Sequence, residues 1–179
     1  MTMPLLIERI LLVAGAQDTG KSVQLRSMFR DPRLGTRGAI PEKRNMREMY
    51  RLSKDRHLYV RLTSPHERNE SLREFMSKTR RKMGVGRWNF ASAVQVEAAN
   101  RMPNLERTVK ALGRGLSPER IRVMLLSPDR HGVVLPKKKL LKLHDHLRNT
   151  TSCEVEVITI DARNRKHNGL LLFDTFDFA

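Results

Sequence analysis

Short apolar runs alternate along this chain with longer segments in which apolar residues recur at helical spacing. Runs rich in Ile, Leu and Val predict buried strands at 7–14, 120–126 and 155–160. Amphipathic spacing predicts helices at 21–29, 105–112 and 136–148. We expect Gly113 to end the second of these helices. Alternating strands and helices are typical of a mostly parallel sheet that has helices on both faces.

A different pattern lies in the first half of the chain, where apolar and polar residues alternate on both sides of a polar break. Residues 49–52 and 57–62 predict the two strands of a β-hairpin, and residues 53–56 predict its turn. The preceding segment, 30–43, contains several Pro and Gly residues and is predicted to be an irregular loop.

Three further segments complete the predicted fold. Residues 67–82 are polar and helix-prone, residues 90–98 suit either a helix or a buried strand, and residues 170–173 suit a last strand or a C-terminal helix. The whole pattern predicts a single α/β domain over residues 1–179 with three layers, α/β/α. Its central sheet should have about six mostly parallel strands, with one antiparallel hairpin strand.

Composition excludes several classes of protein. The single cysteine, Cys153, excludes a disulfide framework and a cysteine-based zinc site. No stretch approaches the length of uncharged apolar sequence that a membrane-spanning helix needs. The N-terminal residues show no basic segment followed by a long apolar run, so we expect no export signal and a cytoplasmic location.

The chain is strongly basic. It has 179 residues, with 35 Lys and Arg against 19 Asp and Glu, a formal charge of +16. The excess concentrates in residues 26–82, which hold 17 basic and 7 acidic residues. Such a region attracts phosphates, nucleic acid or an acidic protein partner, and it is equally compatible with a solvated basic surface.

One motif carries specific chemistry. The pattern G-x-x-x-x-G-K-[ST] is matched in full by Gly15, Ala16, Gln17, Asp18, Thr19, Gly20, Lys21 and Ser22. The glycines let successive backbone N–H groups point at phosphate oxygens. Lys21 supplies a cation for the β- and γ-phosphates, and the Ser22 hydroxyl can ligate Mg²⁺. We expect residues 15–22, together with Val23, to bind phosphate.

With a predicted strand before it and a helix after it, this motif resembles the P-loop NTPases. The order of the later elements is similar to that of the Ras-like small GTPases, and the likeness covers nearly the whole chain. The resemblance implies Mg²⁺-dependent binding of ATP or GTP by a nucleotide switch with weak or partner-stimulated hydrolysis. It also implies a catalytic contribution from Lys21.

The segment 62–68 occupies the place of the family pattern D-T-A-G-Q-E-R. His66 takes the position that orients the attacking water, so the resemblance implies catalytic roles for His66 and Glu67. Leu62 and Pro65 depart from the pattern, since the family has an aspartate for the magnesium shell and a γ-phosphate-sensing glycine there. From its position alone, Glu67 also suits the first turn of a helix.

Three more positions follow from the same resemblance. Thr36 takes the place of the threonine that joins Ser22 in holding Mg²⁺. Glu97 takes the acidic place of the strand pattern V-V-D-A, and this likeness favours a strand over a helix for residues 90–98. Of the base-contacting pattern N-K-x-D, only the aspartate is present, as Asp129. The resemblance therefore does not decide whether the bound base is adenine or guanine. Asp129 also suits a helix-capping role.

Two other functions remain open. A small P-loop kinase would use a basic lid, for which Arg80, Arg81 and Arg87 around the Gly84–Gly86 break are candidates. A non-catalytic nucleotide- or nucleic-acid-binding module would account for the missing switch motifs.

Overall fold

The computed structural model describes residues 4–176, which form a six-stranded sheet. The strands are β1 (Leu5–Ala14), β2 (Met49–Arg51), β3 (Arg56–Arg61), β4 (Gly86–Val94), β5 (Arg120–Leu126) and β6 (Glu154–Ile160). Their order across the sheet is β2-β3-β4-β1-β5-β6. Strand β2 is antiparallel to β3, whereas the other neighbouring pairs are parallel. The predicted α/β architecture and its hairpin are confirmed.

Helices cover both faces of this sheet. The α-helices are α1 (Lys21–Ser27), α2 (Leu72–Met83), α3 (Leu105–Leu116), α4 (Lys137–Arg148) and α5 (Arg165–Phe173). Short 3₁₀ turns lie at Met28–Arg30, Pro32–Leu34, Lys43–Asn45 and Asp174–Phe176. Apolar residues of α2, α3 and α4 pack on one face, and those of α1 and α5 pack on the other. Among residues 4–176, no helix combines the length and the apolar character needed to cross a bilayer.

Strand β1 lies inside the sheet and is buried on both faces. Ile10 and Leu12 join the apolar cluster beneath α2–α4, while Leu11 and Val13 join the cluster beneath α1 and α5. A parallel strand buried on both faces needs apolar residues at successive positions, which explains the unbroken apolar run in the sequence. The strand ends at Ala14, so the loop that follows leaves from the carboxyl edge of the sheet.

The predicted end of α3 is wrong. The helix runs through Gly113 to Leu116, and Ser117 ends it in a left-handed conformation with φ of 47°. Gly113 instead allows close packing, because a Cβ added there would lie 2.8 Å from the Cβ of Thr151. A glycine required for close contact gives the same sequence signal as a helix-ending glycine.

One helix begins later than predicted, and two segments with alternative predictions are assigned by the structure. The helix predicted at 67–82 begins only at Leu72, because Ser71 and Glu74 form a reciprocal capping box. Segment 90–98 lies partly in strand β4, which begins at Gly86. Segment 170–173 belongs to helix α5 and not to a strand.

Candidate phosphate-binding site

The loop between β1 and α1 curls tightly at the carboxyl edge of the sheet. The Gly15 N–H donates to the Val94 carbonyl at the end of β4 over 3.3 Å. A side chain at Gly15 would collide with Thr19, whose hydroxyl donates to the Ala16 carbonyl over 2.8 Å. Gly20 has φ of 100°, a conformation that glycine adopts without strain. Both glycines of the motif therefore allow the backbone of the loop to curl.

A cavity of about 230 Å³ opens beside this loop. Its walls come from the loop, the 3₁₀ turn at 43–45, the segment after β3 and the segment after β5. The lining residues are Gln17, Asp18, Thr19, Gly20, Lys21, Ser22, Lys43, Leu62, Thr63, Glu67 and Arg130. The carboxyl edge of a parallel sheet is where α/β folds generally place their ligands. Of the expected phosphate-binding positions, Gly15, Ala16 and Val23 do not line the cavity.

Lys21 is the central charge of this cavity. Its side chain is only 4% exposed, and its ammonium donates to the Ala16 carbonyl within the loop. The nearest carboxylate oxygen, Glu67 Oε1, lies 3.7 Å from Nζ, and the Glu67 side chain is 30% exposed. Burial lowers the pKa of Lys21, while the charges of Glu67 and Asp18 oppose that shift. A buried ammonium with partial compensation favours an anionic ligand beside it.

Glu67 reaches the cavity from a strand that is not next to β1. Strand β4 lies between β3 and β1, and the turn after β3 extends over the end of β4. The Glu67 N–H donates to the Ser64 carbonyl over 3.1 Å, which holds the turn. Thr63 from the same segment also lines the cavity. The predicted Lys21 and Glu67 are thus brought together by the fold.

His66 does not reach the cavity. The residue is fully buried, and Nδ1 lies 3.0 Å from the Ser64 hydroxyl and 3.4 Å from the Gln95 nitrogen. On the other side of the ring, Nε2 lies 3.0 Å from the Pro103 carbonyl. A neutral ring that donates from Nε2 and accepts at Nδ1 satisfies these partners. Burial lowers the His66 pKa, and the Pro103 carbonyl opposes the shift. In this structure the His66 ring connects the turn after β3 to neighbouring loops, and both of its nitrogens contact protein groups.

Thr36 and Asp129 also lie away from the cavity lining. The Thr36 hydroxyl donates to the Phe29 carbonyl over 3.0 Å, so it does not join Ser22 in this conformation. Asp129 is 8% exposed, and its Oδ1 accepts hydrogen bonds from the N–H groups of His131 and Val133, at 2.8 and 3.0 Å. Asp129 therefore stabilises the turn after β5. It caps no helix, because the next helix, α4, begins only at Lys137.

Two cationic residues of the cavity were missed by sequence reasoning. The Arg130 guanidinium pairs with Asp18 over 2.5 Å, and the Arg130 N–H donates to the Thr19 carbonyl over 3.2 Å. Its side chain also packs against Gly20. Lys43 approaches from the 3₁₀ turn. Arg130 follows β5, a neighbour of β1, so the shared carboxyl edge of parallel strands was the available signal.

The oxygen atoms around the cavity suit Mg²⁺ only in the company of phosphates. Among residues 4–176 no group of three or more His, Cys, Asp or Glu residues could hold a metal ion. The cavity lining does include the Ser22 and Thr63 hydroxyls and the Glu67 carboxylate. Mg²⁺ prefers oxygen ligands and commonly uses one or two protein groups together with substrate phosphates. Ser22 and Glu67 fit that pattern.

Comparison of the chain with protein-family models, with curated proteins and with solved structures finds no match.

Proposed function

We propose that the loop of residues 15–22 binds the phosphate groups of a purine nucleoside triphosphate together with Mg²⁺. The observation that carries this proposal is the placement of Lys21. Its buried ammonium lies on a cavity formed by the motif loop, with one partly exposed carboxylate at 3.7 Å. A phosphate oxygen would supply the missing negative charge and replace the bond to the Ala16 carbonyl.

The charge and the size of the cavity support a polyphosphate in particular. Lys21, Lys43 and Arg130 contribute three cations, whereas Asp18 and Glu67 contribute two carboxylates. The volume of about 230 Å³ is below the range of about 300–1,000 Å³ that is common for sites enclosing whole small ligands. The cavity therefore fits phosphates and a metal ion, and the nucleoside would lie outside it. This arrangement leaves the preference between ATP and GTP open.

Hydrolysis of the bound triphosphate is the activity that this proposal implies. The Glu67 carboxylate lies on the cavity near Lys21 and can accept a hydrogen bond from an attacking water. Lys21 and Mg²⁺ would stabilise the negative charge that develops on the phosphoryl oxygens. Ser22 would hold the metal ion, and Glu67 would hold the attacking water.

Thermal unfolding with and without Mg²⁺ plus ATP, ADP, GTP or GDP tests the binding proposal. A ligand at 100 times its dissociation constant stabilises a protein by about 2.7 kcal/mol. In a domain of this size such a gain raises the Tm by several degrees. The Lys21→Ala variant should lose the nucleotide-induced shift, measured against its own ligand-free Tm.

Lys110→Ala is the matched control, because Lys110 is exposed on α3 and lies outside the cavity lining. It should retain the full shift. A nucleotide-induced shift of equal size in Lys21→Ala and in the unmodified protein would contradict the proposal. A shift with one base only would assign the specificity.

A further inference from the structure

A second and larger cavity adjoins the phosphate-binding site. It has a volume of about 460 Å³ and lies between β3, the C-terminal half of α2 and the turn at 43–48. We call it the basic cleft. Its lining residues are Lys43, Met46, Arg47, Glu48, Tyr59, Val60, Arg61, Leu62, Thr63, Arg68, Glu70, Lys78, Arg81 and Lys82. The volume falls in the range of sites that enclose a small molecule.

The basic cleft has a large excess of positive charge. Seven of its lining residues are Lys or Arg, and two are Glu. Glu70 pairs with Arg61 and Lys78, and Glu48 pairs with Lys82, each at 2.8 Å. Among residues 4–176, the remaining four cations make no ion pair with a carboxylate: Lys43, Arg47, Arg68 and Arg81. These four side chains are exposed around the cleft, and their uncompensated charge attracts anions to it.

Arg61 gives the basic cleft a built polar wall. Its side chain is only 7% exposed, its Nη2 donates to Glu70 over 2.8 Å, and its guanidinium lies 5.0 Å from the Phe75 ring centroid. Among the residues that the structure describes, no group accepts a hydrogen bond from the other terminal nitrogen, Nη1, which is enclosed by protein. Arg61 therefore contributes a buried positive charge to the cleft lining and holds Glu70 in place.

Arg81 is the one member of the expected basic lid that lines this cleft. Arg81 and Lys82 follow Lys78 by three and four residues, so each lies next to Lys78 on the surface of α2, and all three line the cleft. Arg80 instead donates to the Gly115 carbonyl, and Arg87 pairs with Glu8. The three lid candidates therefore do not act together.

The basic cleft and the cavity beside residues 15–22 are adjacent. Both are lined by Lys43, Leu62 and Thr63. A ligand in the cleft would lie beside the outer end of a polyphosphate held by residues 15–22. This relationship to the nucleotide rests on the proposed function, whereas the charge of the cleft does not.

We propose that the basic cleft binds the phosphate monoester group of a second ligand. A dianionic phosphate would offset part of the excess charge, and its oxygens can accept hydrogen bonds from the guanidinium groups of Arg68 and Arg81. The confined volume suits a small phosphorylated molecule, or the phosphorylated end of a nucleic-acid strand. Both sources present the same phosphate chemistry to the cleft.

Calorimetric titration separates these sources. The probes are AMP, adenosine, and a short single-stranded oligonucleotide with either a 5′-phosphate or a 5′-hydroxyl end. AMP should bind at least about tenfold more tightly than adenosine, as expected for charge-assisted hydrogen bonds. Binding of AMP supports a small-molecule source. Binding of the 5′-phosphorylated oligonucleotide alone supports a nucleic-acid end. Equal binding of each phosphorylated probe and its unphosphorylated partner overturns the proposal.

Variants in the two cavities distinguish this proposal from the proposed nucleotide site. The double variant Arg68→Ala/Arg81→Ala should weaken binding of the phosphorylated probe by at least about tenfold. Arg73→Ala is the matched control, because Arg73 is an exposed arginine of α2 outside the basic cleft. Equal losses in Arg73→Ala and in the double variant would indicate nonspecific attraction and overturn the proposal.

Lys21→Ala completes this design. It should abolish the nucleotide-induced thermal shift and leave binding of the phosphorylated probe intact. If probe binding persists while the unmodified protein shows no nucleotide shift, the proposed nucleotide function fails and the cleft stands as an anion site. If the nucleotide shift persists while no phosphorylated probe binds, the cleft proposal alone fails.

Discussion

Lys21 Nζ and Glu67 Oε1 lie 3.7 Å apart, although the strands that lead to them are separated by β4. The turn after β3 must extend over the end of β4 to make this contact. Burial lowers the pKa of Lys21, and the carboxylate of Glu67 makes the largest contribution in the opposite direction. One carboxylate thus supports the buried cation and remains partly exposed to a ligand or water in the cavity.

Replacement of Glu67 by Gln should separate binding from turnover. The amide keeps the shape of the side chain but is a far poorer proton acceptor, so we expect hydrolysis of the nucleoside triphosphate to fall by about 100-fold or more. The nucleotide-induced thermal shift should persist. Phosphate release at saturating Mg²⁺ and nucleotide measures the effect.

Glu97→Gln is the control for the previous variant. Glu97 occupies the acidic position that the resemblance indicated, but its carboxylate pairs with Lys139 and it does not line the phosphate-binding cavity. We expect unchanged hydrolysis. A loss of turnover in Glu97→Gln with none in Glu67→Gln would reverse our assignment of the acidic residue.

Nucleotide affinity should depend on pH through Lys21. Burial lowers the Lys21 pKa from its ordinary value of 10.5, so the ammonium loses its proton at a lower pH than an exposed lysine does. Affinity should be full below that lowered pKa and should fall as the pH rises through it, because the neutral amine no longer attracts phosphate. Titration of Mg²⁺-nucleotide affinity between neutral and alkaline pH measures this. Lys21→Arg, which stays charged in this range, should remove that component of the pH dependence.

The same shift has the opposite sign for the stability of the ligand-free fold. Between the lowered pKa and 10.5 the unfolded Lys21 binds more protons than the folded one. The free energy of unfolding therefore contains a contribution that rises with pH in this window.

Nucleotide affinity that rose with pH in the same window would contradict the role of a charged Lys21.

The sequence predicted most accurately the elements whose signal lies within a short stretch of chain. The apolar run of β1 and the motif at residues 15–22 predicted both the central strand and the loop beside the cavity. Both signals are local, since the apolar run reflects burial on two faces and the glycine spacing reflects the curl of one loop. Gly113 shows the limit of such signals. It leaves room for Thr151, a residue far away in sequence, and a local pattern cannot reveal that contact.

The assembly of the site could not be predicted from spacing in the same way. His66 and Glu67 are neighbours in sequence, yet only Glu67 faces the cavity, because the turn after β3 directs His66 into the protein. Lys43 and Arg130 join Lys21 only through the strand order and the course of the loops. Sequence reasoning could name the polar residues after strands, but the partners of each side chain depend on tertiary packing.

Asp129 should contribute to stability and not to recognition of the nucleotide base. Its Oδ1 accepts the N–H groups of His131 and Val133, and Asp129→Ala would leave both donors without this partner. We expect a loss of about 1–2 kcal/mol in the free energy of unfolding, because both backbone donors lose their partner. Asp129→Asn keeps an acceptor oxygen and should recover most of that stability. Urea unfolding measures both variants, and a changed preference between ATP and GTP in Asp129→Asn would favour a base-contacting role instead.

Gly169 should be needed to hold α1, the helix that follows the loop of residues 15–22. A Cβ added to Gly169 on α5 would lie 2.8 Å from the carbonyl carbon of Ser27, at the end of α1. Because this obstacle is backbone, α1 and α5 must separate, and we expect Gly169→Ala to reduce the free energy of unfolding by about 1–3 kcal/mol. Gly115→Ala is the matched control in helix α3, since its Cβ would meet only the mobile end of Met76, at 2.6 Å. Urea unfolding should show the smaller loss in Gly115→Ala, and equal losses would mean that the close approach of α1 and α5 has no special weight.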